Sequence, residues 1–251
     1  MYKSGVLEPQ IPDRLNYFEI SALMTIFGKF LKEYMAQNLM IMEKGRFKNI
    51  IFDIDGTLID TERTGVESLM VTAKEILNLE MTYADAYRSF GIPSEKVGPM
   101  LGAEDPAQFR KVWEQHFIEL SHYIMAFPGV EQMIQTLHRE GFRMGCVTSR
   151  NRFEFDHDIH LKPLLKYFDV EICAEDTLKH KPDPEPALEF LQRLGATAED
   201  TVFIGDTLHD YHCANGAGLK FILADWRNRG LQGIPADFRA CNASQMLDIL
   251  L

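Results

Sequence analysis

After Phe127 the chain alternates short apolar runs with amphipathic stretches, and this alternation restricts its fold more than any other feature. "GVEQMIQTLHREG" has helical spacing, with Gly141 just past its end. "FRMGCVTS" and "FDVEICA" read as strands, "DPEPALEFLQRLG" as a helix, "TVFIGD" as a strand, "DYHCANGAG" as a helix and "KFILAD" as a strand. Upstream, "KNIIFD" is one more apolar run that ends in a polar cluster, as a buried parallel strand does. The pattern predicts an α/β fold, a mostly parallel sheet with helices on both faces. Residues 64 to about 122 interrupt it and read as helical throughout. "TGVESLMVTAKEILNL" is amphipathic, "TYADAYRSF" is shorter, and "DPAQFRKVWEQHFIELSHYI" opens on Asp-Pro, a good helix start. "GIPSEKVGPMLG" between the last two reads as a glycine- and proline-rich loop. The expected organisation is an extension over 1–47, a core from 48–63 and 126–251, and an all-helical insert over 64–125.

The length of 251 residues suits one large domain or a main domain with an insert, and 46% hydrophobic residues supply ample core. A formal net charge of -11 argues against nonspecific binding to nucleic acid or to an anionic membrane. The cysteines, Cys146, Cys173, Cys213 and Cys241, include no C-x-x-C pair and read as buried, reduced thiols, which fits the cytoplasm. The start of the chain has no secretory-signal pattern. The longest apolar-rich stretch, 20–42, carries Lys29, Lys32 and Glu33 and is a poor membrane span.

Within the extension, Leu23, Ile26, Phe27, Phe30, Leu31, Tyr34 and Met35 fall at helical spacings. The stripe predicts a helix that packs on its own domain or on a second copy, giving a homodimer; a docking or regulatory element is the sharper alternative. A chain starting near Met40 or Met42 would still hold every motif below.

Parallel α/β sheets bind ligands at the carboxyl ends of their strands. The first strand ends in Asp53-Ile54-Asp55, another in Thr148-Ser149, another in Gly205-Asp206 with Asp210 following, and Lys181 lies in "KHKPDPEP", which opens a helix. Residues i and i+2 of a strand point the same way, so Asp53 and Asp55 can reach one pocket. Such a pair calls for a cation, and with Asp206 the oxygen donors suit Mg²⁺. Asp210, one helical turn past Asp206, can orient it or a bound water. Each feature alone has a bland reading: a turn, a capped helix start, a surface lysine. His209 and His212 make a weak metal pair beside these acids, and His157 and His160 read as solvated or packing residues. Of Arg150, Asn151 and Arg152, at least two are expected at the surface, with one able to reach substrate.

"DIDGTLIDTE", the strand-ending Thr148, "KPDP" and "GDTLHD", in that order, resemble the haloacid dehalogenase superfamily of phosphohydrolases. The resemblance covers nearly all of residues 48–225 and implies a Rossmann-like core whose helical insert is a cap. It implies Asp53 as the nucleophile that forms an aspartyl-phosphate, and Asp55 as the proton donor and acceptor that also offers its backbone carbonyl to the metal. Thr148 would donate its hydroxyl to a phosphoryl oxygen, helped by backbone N–H groups near Ser149 and Gly56. Lys181 would neutralise charge, and Asp53, Asp55, Asp206 and Asp210 would form the Mg²⁺ site.

Relatives that cleave carbon–halogen bonds or phosphonates lack an acid at the position of Asp55, so its presence favours phosphate esters. Phosphosugar mutases resembling beta-phosphoglucomutase usually carry a smaller aliphatic residue where Thr57 stands, so "DGT" leans toward phosphatases. "KPDPEPALEFLQRLG" looks most like phosphoglycolate phosphatases and their pyrophosphatase-like neighbours. The expected substrate is a small phosphorylated metabolite: phosphoglycolate first, other small monoesters next, a mutase substrate third. Arg88 and Lys96 are the cap candidates for substrate contact, and hinges are expected near 60–65 and 125–128. A non-catalytic scaffold acting through the N-terminal helix is the alternative of another class, and the intact motif set argues against it.

Overall fold

The computed structural model describes residues 24, 25, 28, 45–89, 92, 94–230 and 233–251. Of the extension, only Met24, Thr25 and Gly28 of its first part are described, each helical; the expected apolar stripe and the dimer built on it lie outside the described residues. The chain divides into two compact units, Met1–Lys44 and Gly45–Leu251, and among the described residues every strand belongs to the second.

In chain order the strands are β1 (Asn49–Phe52), β2 (Ile59–Asp60), β3 (Met125–Ala126), β4 (Arg143–Val147), β5 (Val170–Ile172), β6 (Thr201–Gly205), β7 (Lys220–Ala224) and β8 (Phe238–Ala240). Six form one sheet in the order β5-β4-β1-β6-β7-β8, all neighbours parallel. β1 lies inside, between β4 and β6, which explains why "NIIF" is buried along its whole length. β2 and β3 pair antiparallel in a ribbon of their own, Ile59 opposite Ala126 and Asp60 opposite Met125.

The helices are α1 (Glu62–Leu77), α2 (Tyr83–Tyr87), α3 (Ser94–Met100), α4 (Pro106–Glu119), α5 (Val130–Arg139), α6 (Arg152–His157), α7 (Lys162–Leu165), α8 (Glu185–Leu194), α9 (Leu208–Gly216) and α10 (Ala243–Leu250). Ile51, Phe190, Phe203, Phe221 and Cys213 form a core where α8 and α9 pack on the sheet. α1 to α4 lie between β2 and β3 in sequence and have a separate small core of Val66, Leu69, Ala86, Val97 and Phe109. On α1 the polar stripe Thr64, Ser68 and Thr72 is buried, and every member is satisfied: Thr64 donates to the Leu120 carbonyl, Ser68 to that of Gly65, Thr72 to that of Ser68, and Trp113 donates to Ser68.

The expected loop over 91–102 contains α3 instead. Tertiary packing outweighs its glycine and proline: a Cβ at Gly98 would lie 3.1 Å from the Phe109 ring, so the bare backbone lets that ring close the insert's core. α4 starts as the Asp-Pro pattern predicts, with Asp105 capping the N–H groups of Ala107 and Gln108 and Pro106 at the first turn.

Besides the β2–β3 ribbon, polar contacts tie the start of the insert to the sheet domain, and an aromatic contact braces the sheet domain beside it. Buried Glu62, the first residue of α1, pairs with Arg227 and Arg229 at 2.7 Å each and accepts the Tyr83 hydroxyl at 3.0 Å. Trp226 donates to the Thr57 carbonyl at 2.7 Å and its ring lies against Phe127. No helix among the described residues is long and apolar enough to cross a membrane.

His116 of α4 reaches Glu75 of α1 at 2.7 Å and Glu119 at 3.1 Å. Burial would lower its pKa, but the two carboxylates prevail and raise it above the ordinary histidine value. A raised folded-state pKa gives stability that is fully present below the unfolded value of about 6.5 and is lost as pH rises through the raised value. His116→Gln should therefore melt below the parent protein at pH 6 and together with it at pH 9 in thermal melts. An equal difference at both pH values would show that the imidazolium contributes nothing.

Candidate active site

β1, β4 and β6 are neighbours, so their carboxyl ends form one rim, and the residues just past them face one another. Asp53 follows β1 and is held in line by its N–H donating to the Ile204 carbonyl at 2.9 Å. Thr148 follows β4 with its N–H on the Ile172 carbonyl, and Asp206 follows β6. Lys181 enters from the loop before α8, joined to Pro182 by a cis peptide bond. Its ammonium reaches Asp53 Oδ1 at 2.5 Å and Asp210 Oδ1 at 2.7 Å. All three residues are buried. Burial would lower the Lys181 pKa, but Asp210 and Asp53 raise it well above that of a free lysine, so it stays a cation.

Asp210 is fixed from its other side. Its Oδ2 accepts the Thr207 N–H at 3.0 Å and the Thr207 hydroxyl at 2.6 Å, while its own N–H donates back to that hydroxyl. This is the capping box of α9, and the pattern "TLHD" carries it in the sequence. Asp210 thus caps a helix and holds Lys181 at once.

One oxygen from each of Asp53, Asp206 and Asp210 lies within 4.8 Å of the others. Burial pushes the Asp53 carboxyl up to about 7 against the pull of Lys181, with Asp210 and Asp55 adding to the rise. Asp206 is raised well above the ordinary carboxylate value by burial, then by Asp53 and Asp210. One lysine therefore does not balance three acids. An all-oxygen donor set with excess negative charge fits a hard divalent cation of the Mg²⁺ type.

Gly56 makes the approach of Asp206 feasible. Its φ is +89°, and a Cβ there would lie 2.2 Å from Asp206 Oδ2. The loop it turns is tied by the Ile54 carbonyl, which accepts from Thr57, Leu58 and Ile59, and by Gly56 N–H donating to the Ile59 carbonyl. The Thr57 hydroxyl lies 3.4 Å from Asp206 Oδ1.

Asp55 is less free than the sequence suggests. Arg150 grips its carboxylate with two parallel bonds, Nε to Oδ2 at 2.8 Å and Nη2 to Oδ1 at 2.7 Å, and Thr61 donates to Oδ1 at 2.6 Å. Arg150 Nη1 continues to Asp158, whose carboxylate is largely shielded, at 2.5 Å. Burial would raise Asp55, but Arg150 and Thr61 hold it below the usual carboxylate range. The carboxyl group of Asp55 turns to Arg150 and is not part of the three-acid cluster. Among the three polar residues after β4, Arg150 is the one drawn inward. Asn151 caps α6, and Arg152 lies partly exposed against Glu171 and Asp176. Nothing in "SRNR" marks the first arginine; only the missing counter-charge of Asp55 could have pointed to it.

The Thr148 hydroxyl accepts the Arg150 N–H at 3.1 Å, which leaves its own O–H to donate. Ser149 lines the cavity beside Asp55 and Arg150. Arg88 and Lys96 do not join them. Arg88 is exposed at the end of α2 and pairs with Asp85 at 3.4 Å, Lys96 is exposed on α3, and neither lines that cavity. His209, half-buried, has its pKa lowered chiefly by burial.

A protein-family model described as "Haloacid dehalogenase-like hydrolase" matches residues 50–224. Pyrophosphatase PpaX of Halalkalibacterium halodurans is 29% identical over 208 residues, covering 80% of this chain and 95% of its own length. A crystal structure from Lactobacillus plantarum, provisionally named a phosphoglycolate phosphatase, superposes with a TM-score of 0.72 at 27% identity, over 82% of this chain and all of the other. A Thermotoga maritima structure provisionally named a beta-phosphoglucomutase has a TM-score of 0.65 at 24% identity, over 82% of this chain and all of the other, and shares the fold.

Two outcomes follow from this geometry. Gly56→Ala should push Asp206 aside and raise the Mg²⁺ concentration needed for half-maximal turnover by roughly tenfold or more, a shift of about 1.4 kcal/mol; an unchanged metal titration would show that Asp206 is not a ligand. Arg150→Met leaves Asp55 and Asp158 without their partner and should cost about 3 kcal/mol in urea unfolding, as breaking a buried ion pair does.

Proposed function

The chain belongs to the haloacid dehalogenase-like hydrolase family, and we propose that this phosphatase uses Mg²⁺ and an aspartyl-phosphate intermediate to hydrolyse a small-metabolite phosphate monoester. The observation that carries the reading is the convergence of Asp53, Thr148, Lys181 and Asp206 at one rim of the sheet. A surface binding module gains nothing from burying a lysine between two aspartates and setting a third acid beside them. The relatives named for pyrophosphate and phosphoglycolate hydrolysis support P–O cleavage as the reaction.

In the proposed sequence an Asp53 carboxylate oxygen forms a bond to phosphorus as the bond from phosphorus to the ester oxygen breaks. The departing oxygen takes a proton from Asp55. Water then attacks the phosphorus of the acyl phosphate and gives its proton to Asp55, which releases phosphate and restores Asp53. Lys181 and the Thr148 hydroxyl bind phosphoryl oxygens where charge accumulates. A divalent cation held by Asp53, Asp206 and the Asp55 carbonyl, with Asp210 beside them, supplies the charge neutralisation that lets a carboxylate approach a phosphate dianion. For Asp55 to serve as acid, its carboxyl must leave the Arg150 grip and carry a proton, so the two bonds to Arg150 describe a resting state.

The organisation inferred with this function is an extension over 1–47, a core from 48–63 and 126–251, and a cap over 64–125 that closes on the ester and excludes water from the acyl phosphate. The unpaired thiols, three of them buried, suit a reducing cytoplasm. Phosphoglycolate is the ester favoured by the sequence pattern, and the leaving-group side of the site is the place to examine that preference.

Asp53→Asn should lower phosphate release by at least roughly a thousandfold, in line with removal of a catalytic nucleophile, while far-UV circular dichroism stays unchanged. EDTA should abolish turnover by the parent protein, and added Mg²⁺ should restore it. Persistent turnover in the Asp53 variant would remove this residue as nucleophile.

A further inference from the structure

The leaving group of an ester cleaved here has to stand against Asp55, because that residue gives the proton to the departing oxygen. Asp55 lies on the wall of a cavity of about 460 Å³ between the insert and the sheet domain. α1 and α4 contribute Leu69, Trp113 and Phe117 to it, and α6 contributes Phe153. Three large apolar side chains that water reaches freely, Ile118 of α4, Phe153, and Ile159 just beyond α6, gather at this same cavity with exposures of 69%, 69% and 68%. They come from both sides of the gap. Exposed apolar side chains gathered from separate elements around one opening mark a surface kept for an apolar ligand.

The charges point the same way. Arg150 is the sole arginine or lysine among the described lining residues, and at rest its guanidinium is shared between Asp55 and Asp158. The other ionisable groups on the wall are the acids Glu114, Glu154 and Asp158 and the imidazoles of His157 and His160. His157 Nδ1 lies 2.8 Å from the Phe153 carbonyl and its ring stacks on Phe153. A second carboxylate or phosphate on the substrate would enter this space beside the acids Glu114 and Glu154, and among the described lining residues Arg150 alone carries a lysine or arginine charge, at rest already matched by Asp55 and Asp158. Arg88 and Lys96, the basic residues of the insert that could have served, are outside the lining.

We propose that the substrate carries an uncharged apolar leaving group, aromatic or branched alkyl, seated between Trp113, Phe117 and Phe153. This rests on the phosphatase reading and refines it: the phosphoryl group goes to Asp53 and the apolar portion fills the cavity next to Asp55. It moves the preference away from phosphoglycolate and pyrophosphate, whose second anionic group this wall repels.

The test compares kcat/KM of the full-length protein with Mg²⁺ for benzyl phosphate, hexyl phosphate, methyl phosphate, 2-phosphoglycolate and pyrophosphate. Benzyl and alkyl phosphates release alkoxides as phosphoglycolate does, so leaving-group acidity does not mimic pocket binding. Benzyl or hexyl phosphate should exceed 2-phosphoglycolate and pyrophosphate by at least roughly tenfold, the scale of one or two methylene groups in an apolar pocket. In Phe153→Ser and Ile118→Ser, both exposed positions, the ratio of benzyl to methyl phosphate should fall about tenfold, through KM. A preference for 2-phosphoglycolate or pyrophosphate, with the phosphatase reading intact, overturns the proposal alone. A benzyl-to-methyl ratio unmoved in both variants also overturns it. Failure of every ester, methyl phosphate included, overturns the phosphatase reading and this proposal with it.

Discussion

The buried ammonium of Lys181 fixes the rest of the site. It stands between Asp53 and Asp210 with almost no access to water, and these two acids arrive from opposite ends of the domain's sequence. Removing one partner of such a group costs about 3–5 kcal/mol, because a charge is left behind in a medium that solvates it badly. The end of β1, the loop before α8 and the first turn of α9 are therefore drawn to one point, and the same point is where chemistry is proposed. Thr207 completes the arrangement by taking the free side of Asp210, so helix capping and charge placement share one carboxylate.

A second polar triad, Asp55–Arg150–Asp158, runs beside the first, and the two differ in balance. Burial, with the neighbouring acids adding to it, leaves Asp53 and Asp206 raised in spite of Lys181. Arg150 satisfies its pair in full and holds Asp55 low. Two aspartates separated by one residue thus meet opposite electrostatics, because one faces the cation-poor cluster and the other faces an arginine. Distinct roles for the two carboxylates follow from their surroundings alone.

Much of this was legible in the sequence where a local pattern and a global one agree. Strand ends carry Asp53, Thr148 and Asp206 because parallel strands in α/β proteins finish at the ligand rim, and the apolar runs mark where each strand stops. Asp105-Pro106 announced α4 for the same reason, a local rule with one physical cause. The rest depended on long-range contacts without a local signature. Arg150 sits in a run of polar residues and is defined by Asp55, far upstream. α3 was hidden because glycine and proline are scored by their neighbours in sequence, whereas Gly98 is there for the ring of Phe109. Arg88 and Lys96, the expected substrate contacts of the insert, lie outside the gap between insert and sheet domain, whose lining is largely apolar. The ribbon of β2 and β3 is too short to show an alternation, though both places were marked as hinges on other grounds.

That ribbon has a consequence for how such a chain can change over time. The insert leaves at Asp60 and returns at Met125, residues that face each other across two hydrogen-bonded strands. Its entry and exit coincide, so its length and internal packing place no demand on the spacing of β1 and β4. Its core of Val66, Leu69, Ala86, Val97 and Phe109 packs on residues of the insert alone. The insert is therefore a replaceable cassette: its sequence can drift toward a new ligand while the aspartates and lysine at the sheet rim stay where they are. The limit on that freedom is Glu62, whose two arginines come from the sheet domain and fix where any such cassette begins.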